Sequence, residues 1–354
     1  MTTKDILLLR LDNQQLTGSD TKTAKELTSW FGAVQSQDFP GAIWALGQRL
    51  NYDLSDIENA YRNGEILRTH VMRPTWHFVS SDDIYWLLEL TSEKVLKIMR
   101  SYQRNFGIDE KIAEECIKIL QKELNGNHLT RKEIGEIFTK SGINLIGNGL
   151  AHIMGIAEAK LIITSGPNKG KLTTYALLNQ RVKNPKSLKR NEAIIELTKR
   201  YFQSHGPAQI KDFTWWSGLT VKETMLGIEA NKKITSGAVE GKTYYFFPAD
   251  PNPIDQVYLL PNYDEYTVAY ADRDILAPNI NYSKLDARQN ALFNNAVVVD
   301  GKVEGIWRKI PKSREIELDL RLFRNLNSKE KSQLDSAIEK YSKFLNIPVK
   351  PRIS

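Results

Sequence analysis

At 354 residues, with 41% hydrophobic and 26% charged side chains, the chain is too long for one ordinary domain and too apolar to be disordered. Its Lys and Arg total 49 against 42 Asp and Glu, leaving a formal charge of +7 that suits a polyanionic partner without requiring one. A single cysteine, Cys116, excludes an internal disulfide and any multi-cysteine zinc site; the first residues, MTTKDILLLRLDNQQL, lack the uncharged apolar stretch of a signal peptide or membrane span, so a cytoplasmic protein is expected.

Lys4 to Leu16 reads as a short helix and Thr23 to Gln35 as a better amphipathic one, with Leu27, Trp30, Phe31 and Val34 at helical spacing. Phe39, Ile43, Leu46 and Leu50 resume the period, so a tight joint falls between the two helices. Two amides, Gln35 and Gln37, crowd that joint together with Asp38. Asp38 followed by Pro40 is the signature of a helix start, the carboxylate capping amide hydrogens and the proline sitting harmlessly in the first turn. A further helix over Asp53 to Tyr61 is capped by Asp53 or Ser55. The period then changes: Ile66 to His70 and Thr75 to Val79 are β-branched and aromatic around Met-Arg-Pro, and predict a hairpin.

Helices followed by a hairpin describe a winged helix, and the pattern recurs. Ile112 to Leu124, Leu129 to Lys140 with Thr130 and Glu133 as a capping box, and Gly149 to Lys160 precede strands at Leu161 to Thr164 and Leu172 to Leu178, joined by the basic loop SGPNKGK. Arg190 to Ser204, Ala208 to Gly218 and Val221 to Asn231 precede a second such hairpin, ITSGAVEGKTYYFF. Pro248, Pro251 and Pro253 mark a boundary. Beyond it QVYLL, EYTVAY, AVVVD, KVEGIWRK and EIELDLRLF read as short strands, with a hairpin through Asp300-Gly301, followed by a helix over Ser328 to Phe344 and an extended tail, IPVKPRIS. The expected fold is α+β: tandem winged-helix modules over 1–80, 81–187 and 188–248, then a small β-barrel-like domain over 249–354 that ends in the helix and tail.

Other chemistries find little support. The five histidines (70, 77, 128, 152 and 205) form no Glu-flanked i, i+4 pair, the Gly-Lys pairs at 170–171 and 241–242 lack phosphate-loop spacing and a following helix, and no nucleophile elbow is present. No metal and no cofactor is expected. Cys116, in the run CIKIL, reads as a small core residue, and Trp215 and Trp216, on a helix, as core rather than a base-stacking platform.

AVQSQDFPGA, followed some thirty residues later by LRTHVMRPTWHFV, resembles the signature pair of the AlkZ/YcaQ-like winged-helix DNA glycosylases. LRLDNQQL, HGPAQIKDFTWWSGLT, LLPNYDEYTVAYADR and VVVDGKVEGIWRK resemble the same family in the same order, so the likeness covers nearly the whole chain. In that family a glutamine, an intervening and usually apolar residue, and then glutamine or aspartate form the catalytic motif; Gln35, Ser36 and Gln37 stand at those places. Ser36 departs from the pattern in being polar, and Pro74 stands where many members carry glycine.

The resemblance implies a monofunctional DNA glycosylase that hydrolyses the N-glycosidic bond of alkylated bases of the N7-guanine type, and extends to interstrand crosslinks. An N7-alkylated purine is already cationic, so its departure needs no general acid. The protein must place water and stabilise an oxocarbenium-like sugar, which Gln35 and Gln37 can do as neutral donors and acceptors, with Asp38 adding negative charge if it is not tied up as a cap. The partner implied is double-stranded DNA, met by Arg68, His70, Arg73 and His77 on the first hairpin and by Lys169, Lys171 and Lys242 on the later wings, with nucleoid association as the consequence. The rival reading is a non-catalytic winged-helix DNA-binding protein or regulator, and a third is an interaction scaffold. An open groove around the two amides favours catalysis; amides buried and satisfied by backbone favour binding alone.

Overall fold

Side-chain caps set the starts of many helices. In the computed structural model, which describes residues 1–250, 256–277 and 294–353, Thr2 caps Thr3–Asn13, Thr23 caps Ala24–Phe31 and Asp38 caps Phe39–Leu50, the last with Pro40 in its first turn. Thr130 and Glu133 form the expected reciprocal box on Arg131–Lys140, and the same device starts Val221–Ala230 and Ser328–Leu345. Each such cap stabilises by about 1 kcal/mol because it satisfies amide hydrogens the helix itself leaves over.

The chain divides into two units, one formed by Met1–Glu58 with Ile195–Ser354 and the other by Asn59–Ile194. These cut the chain at different places from the four expected stretches. Of the three prolines taken as a boundary, Pro251 and Pro253 lie outside the described residues.

Within the unit Asn59–Ile194, Ile66–His70 and Trp76–Ser80 pair antiparallel as the predicted hairpin, with Thr69 opposite His77 and His70 opposite Trp76. A 20-residue helix, Ile84–Gln103, then runs through a stretch to which the sequence assigned nothing. Its start carries no side-chain cap, since the Asp83 carboxylate accepts instead from Trp86 Nε1 at 2.9 Å. Glu110–Glu123, Arg131–Lys140 and Gly149–Ala159 enclose a core that includes Leu120, Phe138, Ile153 and Met154. Cys116 is fully buried within it, its thiol pushed up to about 11 by burial, as suits a core residue. Ile163–Lys169, Leu172–Leu177 and the short Leu129–Thr130 form one sheet, with Leu172–Leu177 in the middle. The first wing strand is longer than predicted: pairing continues past a bulge between Gly166 and Lys169, so the loop shrinks to a tight turn at Gly170, whose φ is +59°.

In the other unit Ile210–Ser217 and Val221–Ala230 precede the hairpin Thr235–Val239 with Lys242–Phe246, to which Ala208 bridges through Tyr245. The expected barrel is an open sheet. Its five strands run in the order Val349–Ile353, Ile316–Leu322, Lys302–Pro311, Asn295–Val299, Val257–Leu260, with the first pair parallel and the rest antiparallel. The two outermost strands do not pair with each other. Helix Ser328–Leu345 instead packs on the sheet, Tyr341 lying 5.4 Å from Trp307 and 4.8 Å from Trp44 between ring centroids, so a helix supplies the burial that closure would have given.

One predicted strand is a helix. EYTVAY holds the short helix Glu265–Val268, started by Asp264, whose side chain accepts from Tyr266 N at 2.9 Å. All four helical residues are buried, so their β-like composition reflects burial and not strand pairing.

Candidate active site

Helix Ala24–Phe31 stops at Gly32, whose φ of +82° suits glycine, and the chain continues extended through Val34–Gln35. Gln35 N donates to Glu265 Oε1 at 2.6 Å, and Gln35 Oε1 accepts from Gln37 N at 2.6 Å, closing a tight local turn around Ser36. The two amides therefore differ. Gln35 is 7% exposed and its carbonyl is spent on backbone, whereas Gln37 is exposed. Asp38 is half-buried and accepts from Gly41 N at 3.3 Å, the capping role read from its position. A Cβ on Gly41 would fall 2.8 Å from Asp38 Oδ2 and 3.2 Å from Pro261 Cβ, so only glycine lets that carboxylate lie against the first turn.

Behind the glutamine turn lies a buried polar cluster drawn from two stretches of the family resemblance, HGPAQIKDFTWWSGLT and LLPNYDEYTVAYADR, to whose side chains the sequence assigned no role. Glu265, 2% exposed, also accepts from Trp216 Nε1 at 2.9 Å, and His205 Nε2 stands 3.3 Å from the same oxygen, Oε2. His205 is fully buried, stacked on Tyr201 at 4.7 Å, with Ser204 Oγ 2.8 Å from its Nδ1. Burial pushes its imidazole below the ordinary value, against the pull of Glu265. The preceding residue, Asp264, takes the Arg49 guanidinium in a bidentate grip at 2.8 and 2.9 Å, and Arg49 Nε donates to Gln14 O at 2.8 Å. Adjacent carboxylates thus hold the segment at two points: the main chain of Gln35, and the last turn of the helix that Asp38 begins. Asp264 and Glu265 lie inside LLPNYDEYTVAY, part of the family resemblance, but neither that stretch nor the strand expected over EYTVAY assigns either carboxylate a partner. Trp216 is core, as expected; Trp215 is 43% exposed, with the Arg273 guanidinium 5.9 Å from its ring centroid.

The residues expected to meet DNA are placed unevenly. In the unit Asn59–Ile194, Arg68 lies 4.3 Å over the ring of Trp76 and Arg73 is half-buried in the hairpin turn. His70 and His77 do not face the surface. His70 is 8% exposed and paired through Nδ1 with Glu158, which also accepts from His70 N at 3.1 Å; His77 is fully buried, its Nδ1 3.0 Å from Thr75 O. Opposed residues of a hairpin share a face, so His77, opposite Thr69, and His70, opposite Trp76, lie on opposite faces, and both faces are covered at these positions. Lys169 is tied to Glu133 at 3.0 Å, while Lys171 is exposed at the wing turn. In the other unit Lys242 pairs with Asp272 at 2.7 Å, an interaction that raises its pKa and which Lys211 shares at 2.9 Å. Among the described residues no group of three or more His, Cys, Asp or Glu side chains is placed to hold a metal ion, and no helix is long and apolar enough to cross a membrane.

A family model described as DNA glycosylase AlkZ-like matches residues 28–344. An interstrand DNA cross-link repair glycosylase of Streptomyces sahachiroi is 22% identical over 334 residues, covering 86% of this chain and 87% of that protein. The solved structure of Streptomyces sahachiroi DNA glycosylase AlkZ aligns over 100% of both chains with a TM-score of 0.80 at 18% identity, a likeness of fold.

Proposed function

The chain belongs to the AlkZ-like DNA glycosylase family, and from that premise we propose that it hydrolyses the N-glycosidic bond of alkylated purines of the N7-guanine type in duplex DNA, interstrand crosslinks among them. The observation that carries the reading is the turn Gln35-Ser36-Gln37, which pairs one buried amide with one exposed amide at the start of a helix. Gln35 Oε1 already accepts from Gln37 N, so the exposed amide of Gln37 is the one that orients the attacking water by accepting a hydrogen bond, with Gln35 Nε2 as a further donor, and the water's proton passes to solvent. The departing base is cationic beforehand, so correct placement of water and tolerance of a cationic sugar are the whole chemical task. The helical dipole of Phe39–Leu50 presents its positive end near this turn, and the Asp38 carboxylate that caps it offsets that charge where a cationic transition state would otherwise be disfavoured.

DNA is held without strong sequence choice by winged-helix modules, the three groups of helices that each run into a hairpin. Phosphate contact falls to cations on the hairpins, Arg68 and Arg73 on the first and Lys169 and Lys171 on the second, and, in the other unit, Lys242. His70 and His77, being buried, are read as structural. Association with the nucleoid follows from this affinity. Release of N7-methylguanine from alkylated duplex DNA by the purified protein tests the reading: no release at protein excess over substrate overturns it.

A further inference from the structure

Resting on the reading of Gln35 and Gln37 as the reacting amides, we propose that Glu265 is a positioning residue for them, a buried carboxylate whose hold on the Gln35 main chain fixes the direction of both glutamine side chains. The contacts are specific. Glu265 Oε1 takes the Gln35 N–H at 2.6 Å, while Oε2 is held by Trp216 Nε1 at 2.9 Å and faces His205 Nε2 at 3.3 Å. One oxygen thus addresses the motif and the other is anchored in the aromatic core of Tyr201, Phe213 and Trp216, so the carboxylate has little room to turn. Glu265 itself stands in the first turn of Glu265–Val268, whose cap, Asp264, is locked by Arg49.

The consequence reaches the reacting groups through two bonds. Gln35 is in extended backbone, with no helix of its own to hold it, and its N–H would be an unsatisfied buried donor without Glu265. Once the main chain is fixed, Gln35 Oε1 meets Gln37 N at 2.6 Å, and that second bond sets where the exposed amide of Gln37 projects. Small misplacements of a water-orienting group cost rate steeply, so a group that touches no substrate can still govern turnover. A core residue with no such role would affect stability alone.

The test uses the full chain as wild type, Glu265→Gln and Trp216→Phe, with two readouts. The first is amide hydrogen exchange of the peptide spanning Val34 to Ser36; the second is the single-turnover release of N7-methylguanine, alongside affinity for a duplex carrying an abasic-site analogue. Glu265→Gln keeps the shape but sets an amide donor against either Gln35 N–H or the Trp216 and His205 donors. Exchange of that peptide rises at least tenfold while the helix Phe39–Leu50 stays protected, and release slows by a factor of roughly 10 to 100 with duplex affinity within about twofold. Trp216→Phe removes one anchoring donor while keeping an aromatic ring, giving the same changes at smaller size, and it decides the matter should Glu265→Gln fail to fold. Unchanged exchange in the folded variants overturns the proposal, as does faster exchange with an undiminished rate. If the wild type releases no base, the substrate reading fails by itself, and the exchange data alone decide whether Glu265 holds the turn.

Discussion

Gln35 and Gln37 sit two residues apart and have opposite surroundings, which makes the site more asymmetric than its sequence suggests. Replacing Gln37 by Ala removes the exposed amide only, so the single-turnover rate falls by a factor on the order of 10² while duplex affinity holds, the mark of a group that acts on the transition state. Asp38 behaves differently. As a cap it survives Asp38→Asn with stability close to wild type, but the charge that offsets the helix dipole is lost and the rate falls, while Asp38→Ala costs about 1 kcal/mol in a urea titration; an undiminished rate for Asn would show that the charge does not matter to the reaction. His205 carries a pH signature. Its folded-state pKa is depressed by burial while the unfolded imidazole titrates near 6.5, so below that pH the unfolded chain binds the extra proton, and stability declines as pH falls until the folded pKa is passed. Denaturation midpoints measured downward from pH 7.5 show that decline in the wild type and less of it in His205→Gln. At this scale the cap was legible because residue type and position agree at Asp38. Glu265 was not, because a carboxylate that bonds across 230 residues of chain leaves no local pattern, and neither was the burial of His70 and His77.

The elements were read well wherever a start signal and a period coincided. Arg190–Ser204 and Arg131–Lys140 fall where the sequence placed them, and both later hairpins are present. Ile84–Gln103 carries neither signal: its first turns bury Ile84, Trp86, Leu87, Leu88 and Leu90 nearly all round, so no amphipathic stripe shows, and its start has no cap. Glu265–Val268 reads as a strand for the related reason that burial on all sides imitates β composition. The bidentate pair of Arg49 with Asp264 belongs to this scale, since it ties the last turn of one helix to the cap of another. Both partners are buried, and Asp264→Ala strands a guanidinium there; a loss of about 3–5 kcal/mol in a denaturant titration is expected. A loss below about 1 kcal/mol would mean that water reaches the arginine and the pair holds little.

For the molecule as a whole, the net charge of +7 and the cations on its hairpins and wings predict binding to undamaged duplex DNA that weakens steeply with salt. The logarithm of affinity should fall linearly with the logarithm of salt concentration, and Lys171→Ala should lower that slope by about 1 if this exposed lysine meets phosphate. An unchanged slope would move the contact elsewhere. The α+β class and the family were legible from motifs spread through the chain. The open sheet was not, because five alternating strands are compatible with closure or with cover by a helix, and the choice is made by Trp44, Trp307 and Tyr341, aromatic partners far apart in sequence. If the exposed amide of Gln37, held on a turn fixed from behind, places water for base release, excess protein incubated with N7-methylguanine-containing duplex liberates free base with time, and Gln37→Ala, followed in parallel, does so at a rate lower by a factor on the order of 10² at equal duplex affinity; equal rates for the two proteins would rule that role out.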